Sequence, residues 1–441
     1  MIAYLKSHAL LRAGLLLAFF NLLSRVVGLV RDRILVGRFG AGDVLDVYYL
    51  AFNLPDFIFN LLVAGALAAA FIPVFIEYKE KQQPGEEWRL ASNFLNFLFV
   101  AVAVVGAVMF FLAPWLIALI APGFSLAKQA DAVLFTRVML LSPLIFAVSG
   151  VVGSILQAFN RFLAFALAPT IYNLGIIFGA LVLVPQFGPI GLAYGVVVGA
   201  LAHLLVQWGA ALRLGFAWRP IFTLADSGLR RIFKLMIPRT IGLVAGQVNL
   251  IVLNALATTV GVGSVALLTI ANNFQYLPIA LVGISAAVAA FPTLSRDALQ
   301  QDRSIFIRRL NYILKRLLWL IIPASIVFYL LVDWILRSLL QTGYFQAADV
   351  TILGQVLRMF ILGIWAQTLI PTLARAFYAL QNTITPVVIS IASIAVNIGL
   401  AYYFVSVLGW ELSGLGLAFS MAGILNVALL WIFLWRKLRQ S

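Results

Sequence analysis

The chain has 441 residues, of which 63% are hydrophobic and only 10% charged, whereas soluble domains carry about 25% charged residues. This excludes a soluble globular protein, because so much apolar surface needs lipid. The net charge of +15 does not indicate nucleic-acid binding, since the basic residues cluster in short linkers and form no stripe with interleaved aromatic residues. Cysteine is absent, which excludes disulfides and thiolate metal sites.

Apolar stretches of about 20 residues, the length that crosses a bilayer as a helix, recur along the whole sequence. They predict an all-α polytopic membrane protein with about twelve transmembrane helices. The predicted spans, in chain order, are 10–31, 47–77, 91–118, 132–158, 163–184, 190–212, 232–258, 264–294, 311–335, 350–379, 384–408 and 413–435.

The linkers between these spans alternate in charge. Those around residues 79–89, 213–234 and 296–316 are rich in Lys and Arg, whereas the alternate linkers 185–189 and 409–412 contain neither. Because cytoplasmic loops of membrane proteins carry the excess of Lys and Arg, this pattern predicts that both termini lie in the cytoplasm.

Short motifs recur at an offset of about 220 residues. The sequence FGAGDV at 39–44 is echoed by VGVGSV at 260–265, and AAFIP at 69–73 is echoed by AAFP at 289–292. These echoes predict an internal duplication, and chance similarity among Leu- and Ala-rich helices is the alternative.

Duplication predicts two related six-helix lobes, residues 1–222 and 223–441. Each lobe contains an even number of spans, so both have the same orientation and an axis along the membrane normal relates them. Transporters that rock two bundles around a central site use this arrangement. We therefore expect a central cleft between the lobes.

Two arginines of the first span are the best candidates for a binding role. Only about 18 Å of helix separates Arg12 from Arg25, so the span takes Arg25 into the hydrocarbon region. A charge there costs about 2.5–3.5 kcal/mol and usually marks a substrate or ion path. Arg31 follows on the same helix. The alternative for Arg25 is snorkelling to the interface or an internal pair with Asp32.

Further polar residues interrupt the first two and the seventh and eighth spans. Asp46 opens the second span, where it either orients a cavity arginine or favours the positive end of a helix. The amides either line a cavity or join helices by hydrogen bonds. The other candidate substrate-binding residues in these spans are Asn53, Asn60, Arg239, Asn272 and Asn273.

Other features indicate structure more than chemistry. Gly191, Gly195 and Gly199 form a small-xxx-small face that is typical of tight helix packing. His203, alone on an apolar helix, is either a structural residue or a proton relay, and we favour structure. Arg358 reaches either an interface or a cavity wall. The sequence also lacks the deep pair of carboxylates that acid–base or metal catalysis would need, so we expect no enzyme activity.

The segment SRVVGLVRD at 24–32, followed by FGAG at 39–42 and Asp46, resembles the first-helix signature of the MurJ (MviN) lipid II flippases. That family belongs to the multidrug/oligosaccharidyl-lipid/polysaccharide (MOP) exporter superfamily, which includes the MATE transporters. Similarity continues through AFNLP at 51–55 and recurs as far as Thr385, so it covers nearly the whole chain.

The resemblance implies two lobes facing a cationic cleft in a bacterial inner membrane. By alternating access they carry the anionic head group of a lipid-linked peptidoglycan precursor outward, without a cofactor. It assigns head-group binding to Arg25 and Arg31 and an important role to Asp46. No ATP motif is present, so the membrane potential or a coupled ion is expected to supply the energy.

The sequence also departs from the family. Family arginines are missing at two places. Phe59 and Asn60 stand where the second helix often has an Arg pair, and Asn272 and Asn273 stand where the eighth often has Asp-Arg. Arg239 is the candidate replacement. Twelve spans are found where the family usually has fourteen helices, so the groove for the lipid tail is expected to be missing or formed otherwise.

Two other functions fit the sequence. One is a MOP-superfamily exporter of other polysaccharide-lipids or of drugs, which for cation exchange would need a carboxylate inside the membrane. The other is a membrane scaffold without transport, which predicts neither a cleft nor an accessible Arg25.

Overall fold

The computed structural model describes residues 2–65, 67–81, 85–300 and 302–440, and the side chains of 2–13, 68, 69, 238, 239 and 440 lie outside this description. The regular structure of the described residues is helical, apart from one isolated β-bridge between Thr342 and Phe345. The α-helices up to residue 258 are α1 (Ile2–Phe39), α2 (Asp43–Ala51), α3 (Asn53–Ile58), α4 (Ile72–Lys81), α5 (Glu86–Ile120), α6 (Leu126–Met139), α7 (Leu141–Ala158), α8 (Phe162–Phe178), α9 (Val184–Phe187), α10 (Gly191–Leu212) and α11 (Ser227–Thr258). Those that follow are α12 (Ser264–Pro278), α13 (Ser285–Asp297), α14 (Arg303–Leu340), α15 (Ala347–Ala379), α16 (Ile384–Tyr402) and α17 (Glu411–Gln440).

In the described chain, 12 helical stretches are long and apolar enough to cross a bilayer. They are Gly14–Phe39, Asp43–Ala64, Glu86–Ile120, Leu126–Ala158, Phe162–Phe187, Gly191–Leu212, Thr240–Thr258, Ser264–Asp297, Arg303–Leu340, Ala347–Ala379, Ile384–Val407 and Glu411–Arg439. The predicted all-α polytopic fold is thereby confirmed. The first span was predicted to end at residue 31, but α1 continues to Phe39. Charge by itself does not end an α-helix, since Arg is a good helix former, and Arg31 and Asp32 form an ion pair within α1.

Short π-helical segments interrupt several spans. Those in the described residues are Phe59–Ala64, Leu67–Phe71, Gly179–Leu183, Ile279–Ile284 and Tyr403–Val407. The fourth segment begins 220 residues after the first (279 − 59). The fifth segment begins 224 residues after the third (403 − 179). This matches the offset of the sequence echoes. Since π-bulges are rare, their recurrence at nearly the same spacing supports an internal duplication.

The chain divides into two compact units. Unit 1 consists of Met1–Arg38, Val47–Ile120 and Phe124–Val248, and unit 2 of Phe39–Asp46, Ala121–Gly123 and Asn249–Ser441. The predicted lobe boundary at residues 222 and 223 and the central cleft stay predictions.

Unit 1 has an aromatic core. The ring of Phe71 stacks on that of Phe94 with 5.0 Å between centroids and on that of Phe75 with 5.4 Å, and all three side chains are fully buried. Because lipid is as apolar as these rings, dispersion and ring geometry stabilise the core more than removal from water does.

Two amides of α5 hold the linker that follows α10. The Asn96 Nδ2 donates to the carbonyls of Arg219 and Ile221 at 2.8 and 2.9 Å. The Asn93 side chain donates to the Thr223 carbonyl at 2.8 Å and accepts from its amide at 2.9 Å. These bonds satisfy backbone groups that no helix or strand pairs, so the linker has a defined path.

Helices α8 and α10 approach each other through glycines. A Cβ at Gly175 would lie 2.2 Å from the Cα of Gly199, and one at Gly195 would lie 2.6 Å from the Cα of Gly179. Real side chains do not fit at such distances. The predicted role of Gly195 and Gly199 in tight packing is confirmed.

Unit 2 is organised around α15. Phe377 and Leu373 of this helix are fully buried together with Phe306 of α14 and Leu430 of α17. A polar contact adds to the packing of α15 on α17, since the Ser420 Oγ of α17 donates to a carbonyl of α15 at 2.6 Å.

Candidate functional site

Arg31 lies in a hydrogen-bonded cluster within unit 1. Its Nε and Nη2 donate to the Asp32 Oδ1 at 2.9 and 2.7 Å, and its Nη1 donates to the Asn173 Oδ1 of α8 at 2.8 Å. The Arg31 side chain is 20% exposed and that of Asp32 is 5% exposed. The charge of Arg31 is therefore compensated, while two of the five guanidinium N–H groups have no part in these bonds.

Asn173 connects Arg31 to the helical turn that carries Arg25. Its Nδ2 donates to the Pro169 carbonyl at 3.1 Å and, at 3.4 Å, to the hydroxyl of Ser24, the neighbour of Arg25. One amide thus orients α1 against α8 and fixes the position of the Arg31 guanidinium. Asn173 is not among the residues predicted from the sequence, although it is a polar residue in an otherwise apolar span, which is the signal for such a site.

Arg25 differs from Arg31. It is half-buried in the first span, and the structure gives it no hydrogen bond or ion pair with any described residue. The pair with Asp32 that the sequence left open does not form, because Asp32 binds Arg31. An arginine in a membrane helix without a carboxylate partner has positive charge available for an anion.

Asp46 serves a helix other than its own. It is fully buried, its Oδ2 accepts from the Gly263 amide at 2.7 Å, and its Oδ1 accepts from the Ala266 amide at 3.0 Å. Gly263 is the N-cap residue of α12 and has no side chain to cap it, so Asp46 supplies the capping carboxylate within unit 2.

The structure gives Asp46 a capping role, and the expectation that it contacts the substrate stays a prediction. A carboxylate with no exposed surface cannot contact a ligand in this conformation. The alternative interpretation, that Asp46 favours the positive end of a helix, agrees with these contacts. The amides that Asp46 binds belong to the start of α12 and not to α2. The sequence could not indicate this, because the two residues that bond to Asp46 lie 217 and 220 positions further along the chain.

The amides of the second span form structural hydrogen bonds. The buried Asn53 donates to the Leu50 carbonyl at 2.9 Å. Asn60 donates to the Asp56 carbonyl at 3.0 Å and to the Gln247 Oε1 of α11 at 3.1 Å. The Asn60–Gln247 bond supports the interpretation that this amide joins helices, whereas Asn53 bonds to a carbonyl only three residues before it. The side chain of Asn53 is buried, and its role as a substrate ligand stays a prediction.

The other predicted ligands are more open. Asn272 accepts from the Gln275 Nε2 at 2.9 Å, and Asn273 is exposed. Arg239 lies in α11, but its side chain is outside the described residues. Arg358, for which the sequence left two positions open, forms a salt bridge with Asp333 at 2.7 Å.

A cavity of about 480 Å³ lies within unit 1 between the second, fourth, fifth and sixth spans. Asp56 lines it, and its side chain forms no hydrogen bond or ion pair with any described residue. Aromatic side chains make up much of its wall. His203 also lines the cavity, and its Nδ1 lies 2.6 Å from the Ser149 Oγ. Asp56 is thus a carboxylate of a membrane span that reaches a cavity, and it was not among the predicted site residues.

The fold defines the class of protein. A multidrug resistance MATE family transporter of the MOP superfamily, in an inward-facing conformation, matches with a TM-score of 0.78 and 16% identity over 95% of both chains. The chain thus shares the fold of this transporter, with 12 candidate spans in its described part.

A model of the family described as lipid II flippase MurJ matches residues 35–441, so the chain belongs to the MurJ family. The lipid II flippase MurJ of Burkholderia cenocepacia is 29% identical over 97% of this chain and 84% of its own. A probable lipid II flippase MurJ of Vibrio cholerae serotype O1 is 30% identical over 96% of this chain and 83% of its own. A structure of lipid II flippase MurJ in an inward closed conformation matches with a TM-score of 0.81 and 25% identity, over 95% of this chain and 87% of the other.

Proposed function

We propose that this protein is a flippase that moves lipid II, or a similar polyprenyl-pyrophosphate glycan, across the bacterial inner membrane by alternating access. Membership of the MurJ family supports the substrate class. The observation that carries the proposal at the level of residues is Arg25, a guanidinium inside a membrane span without a partner among the described residues. Guanidinium groups bind phosphate oxygens with two parallel hydrogen bonds, which suits a pyrophosphate.

The two arginines of α1 have different roles in this proposal. Arg25 is the first ligand of the pyrophosphate, because no carboxylate has to leave it. Arg31 is the second ligand, and binding phosphate requires it to exchange Asp32 or to use its two remaining N–H groups. Asp32 therefore takes the role of holding and releasing an arginine that the sequence suggested for Asp46.

The remaining ligands are polar groups of other spans. Arg239 replaces part of the positive charge that the missing family arginines would supply. Asn60, Asn272 and Asn273 offer hydrogen bonds to the glycan.

The same proposal covers orientation and energy. Both termini lie in the cytoplasm, as the distribution of Lys and Arg among the linkers indicates. The membrane potential or a coupled ion supplies the energy, since moving one charge through 100 mV is worth about 2.3 kcal/mol. The protein changes no covalent bond, needs no cofactor and binds no nucleic acid.

Depletion of the protein in its host cell tests the function. We expect lipid II to accumulate in the cytoplasmic leaflet. An enzyme that modifies its head group and cannot cross the membrane should then leave this lipid II unmodified when it is added to spheroplasts. Accumulation of a different polyprenyl-linked glycan would identify that glycan as the substrate in place of lipid II. An unchanged distribution of all such lipids would contradict the proposal.

A second function is favoured by one observation, the cavity that contains Asp56. Its volume of about 480 Å³ suits a small ligand, and its carboxylate and aromatic walls suit an organic cation. Drug export is the alternative function that requires a carboxylate inside the membrane for cation exchange, and Asp56 is such a carboxylate. Cation export predicts that inverted vesicles containing the protein take up ethidium and that Asp56→Asn abolishes this uptake. No ethidium uptake by the unmodified protein would reject cation export.

A further inference from the structure

A second cavity of unit 1, with a volume of about 770 Å³, lies apart from the residues discussed so far. Side chains of α1, α8 and α10, together with the short turn before α8, line it. Neither Arg25 nor Arg31 belongs to its lining.

The cavity lies at one end of the membrane helices. It includes Arg161, which directly precedes α8, and Arg213, which directly follows α10. Leu16, near the beginning of the first span, lies in the same wall. The positive-inside rule places these helix ends at the cytoplasmic surface of the bilayer.

The charge of the cavity is entirely positive. Arg161 and Arg213 are both exposed, and neither forms a hydrogen bond or ion pair with a described residue. Asp and Glu are absent from the described residues that line it. Two guanidinium groups without a counter-charge at a membrane surface attract a phosphate group.

The rest of the wall is apolar. Leu16, Phe162, Leu167 and Val206 provide large apolar side chains, and Gly209 leaves room between them. A Cβ at Gly209 would meet no atom within 4 Å. A ligand that fills this cavity therefore needs an anionic head for the arginines and a hydrocarbon portion for the wall.

We propose that this cavity binds an anionic phospholipid of the cytoplasmic leaflet. The phosphate lies between Arg161 and Arg213, and the upper part of an acyl chain lies along the apolar wall of α1, α8 and α10. Free phosphate satisfies only the arginines, and a zwitterionic lipid brings its own cation close to them. The site is distinct from the proposed substrate site on Arg25.

Native mass spectrometry of the full-length protein tests this with added phosphatidylglycerol or phosphatidylcholine. We expect one phosphatidylglycerol to be retained in preference to phosphatidylcholine. The double variant Arg161→Gln/Arg213→Gln should lower that preference by about tenfold or more, because it removes two charge-assisted contacts. A matched control, Arg89→Gln/Arg219→Gln, removes the same charge from exposed positions outside the cavity and should retain the preference.

Gly209→Leu provides a test that leaves the charge unchanged. A Cβ at this position meets no atom within 4 Å, so the Leu side chain should enter the cavity and reduce phosphatidylglycerol retention in a folded protein. Equal retention by the Arg161→Gln/Arg213→Gln variant and its control would overturn the proposal. Equal binding of inorganic phosphate, or preferential binding of a polyprenyl pyrophosphate, would overturn the assignment to a phospholipid. The assay measures no transport, so its result does not depend on the flippase proposal.

Discussion

Arg25 and Arg31 show how two arginines on one helix acquire different chemistry. They are six positions apart, and the sequence predicted both as substrate ligands. The structure compensates Arg31 with Asp32 and Asn173 but gives Arg25 no partner among the described residues. Sequence reasoning found the residues because charge inside a span is conspicuous. It could not assign partners, because these depend on how α1 is rotated against α8.

The Arg31–Asp32 pair predicts a coupling between two substitutions. Arg31→Met and Asp32→Ala should each destabilise unit 1 by about 2–3 kcal/mol, because each leaves a mostly buried charge uncompensated. The double variant should lose about 1–2 kcal/mol less than the sum. Thermal unfolding in detergent, followed by the fluorescence of the 10 Trp residues, measures this. Strictly additive losses would show that the two side chains do not interact in the folded protein.

Among the elements, α12 depends on a residue far away in sequence. Its N-cap residue Gly263 has φ +82° and lies so close to Ala41 that a Cβ would approach the Ala41 carbonyl oxygen to 2.2 Å. A capping side chain cannot be placed there, and the Asp46 carboxylate performs the function instead. The acidic residue was evident in the sequence, but its role followed only from the fold.

Asp46→Ala should therefore mainly lower the stability of the protein and have a smaller effect on the substrate affinity of the folded protein. Asp46→Ala leaves two buried backbone amides without acceptors, which lowers the free energy of unfolding by about 2–4 kcal/mol. The stability of Asp46→Asn should lie between those of Asp46→Ala and the natural protein, because its side chain retains one acceptor oxygen. Asp302→Ala is the control, since Asp302 caps α14 at an exposed position where water replaces the lost acceptor.

Unfolding midpoints and substrate affinity of the folded fraction separate the two roles of Asp46. A variant Asp46→Ala with normal stability and abolished substrate binding would contradict the capping role.

Among the features of the elements, the sequence predicted the tight packing of α10 best, since glycines at four-residue spacing indicate close helix approach, but it did not identify α8 as the partner. Gly195→Leu should prevent that approach and cost about 3 kcal/mol or more, because the new side chain would overlap the backbone at Gly179. Gly106→Ala in α5, where a Cβ meets no atom within 4 Å, should be neutral or slightly stabilising. Size-exclusion profiles and thermal unfolding compare the two. Normal folding of Gly195→Leu would show that α8 and α10 do not need this approach.

For the whole molecule, hydropathy determined the number of spans because lipid leaves few alternatives to a helix. The internal repeat was visible as short echoes, and the π-helical segments at the same offset support it. Cavities could not be predicted, because they depend on which side chains fail to fill the space between helices. Asp56 illustrates this: it is an acidic residue of the second span that was not among the predicted site residues, and only the structure places it in a cavity.

Transport of labelled lipid II by the reconstituted protein tests the central claim most directly. In proteoliposomes the natural protein should move the label across the bilayer, Arg25→Ala should abolish movement, and Arg25→Lys should recover little of it. An ammonium keeps the charge but loses the planar group that binds pyrophosphate through two hydrogen bonds. Arg239→Ala should reduce transport if it replaces a missing family arginine, and Arg89→Ala should not. Normal transport by a correctly folded Arg25→Ala protein would contradict the account.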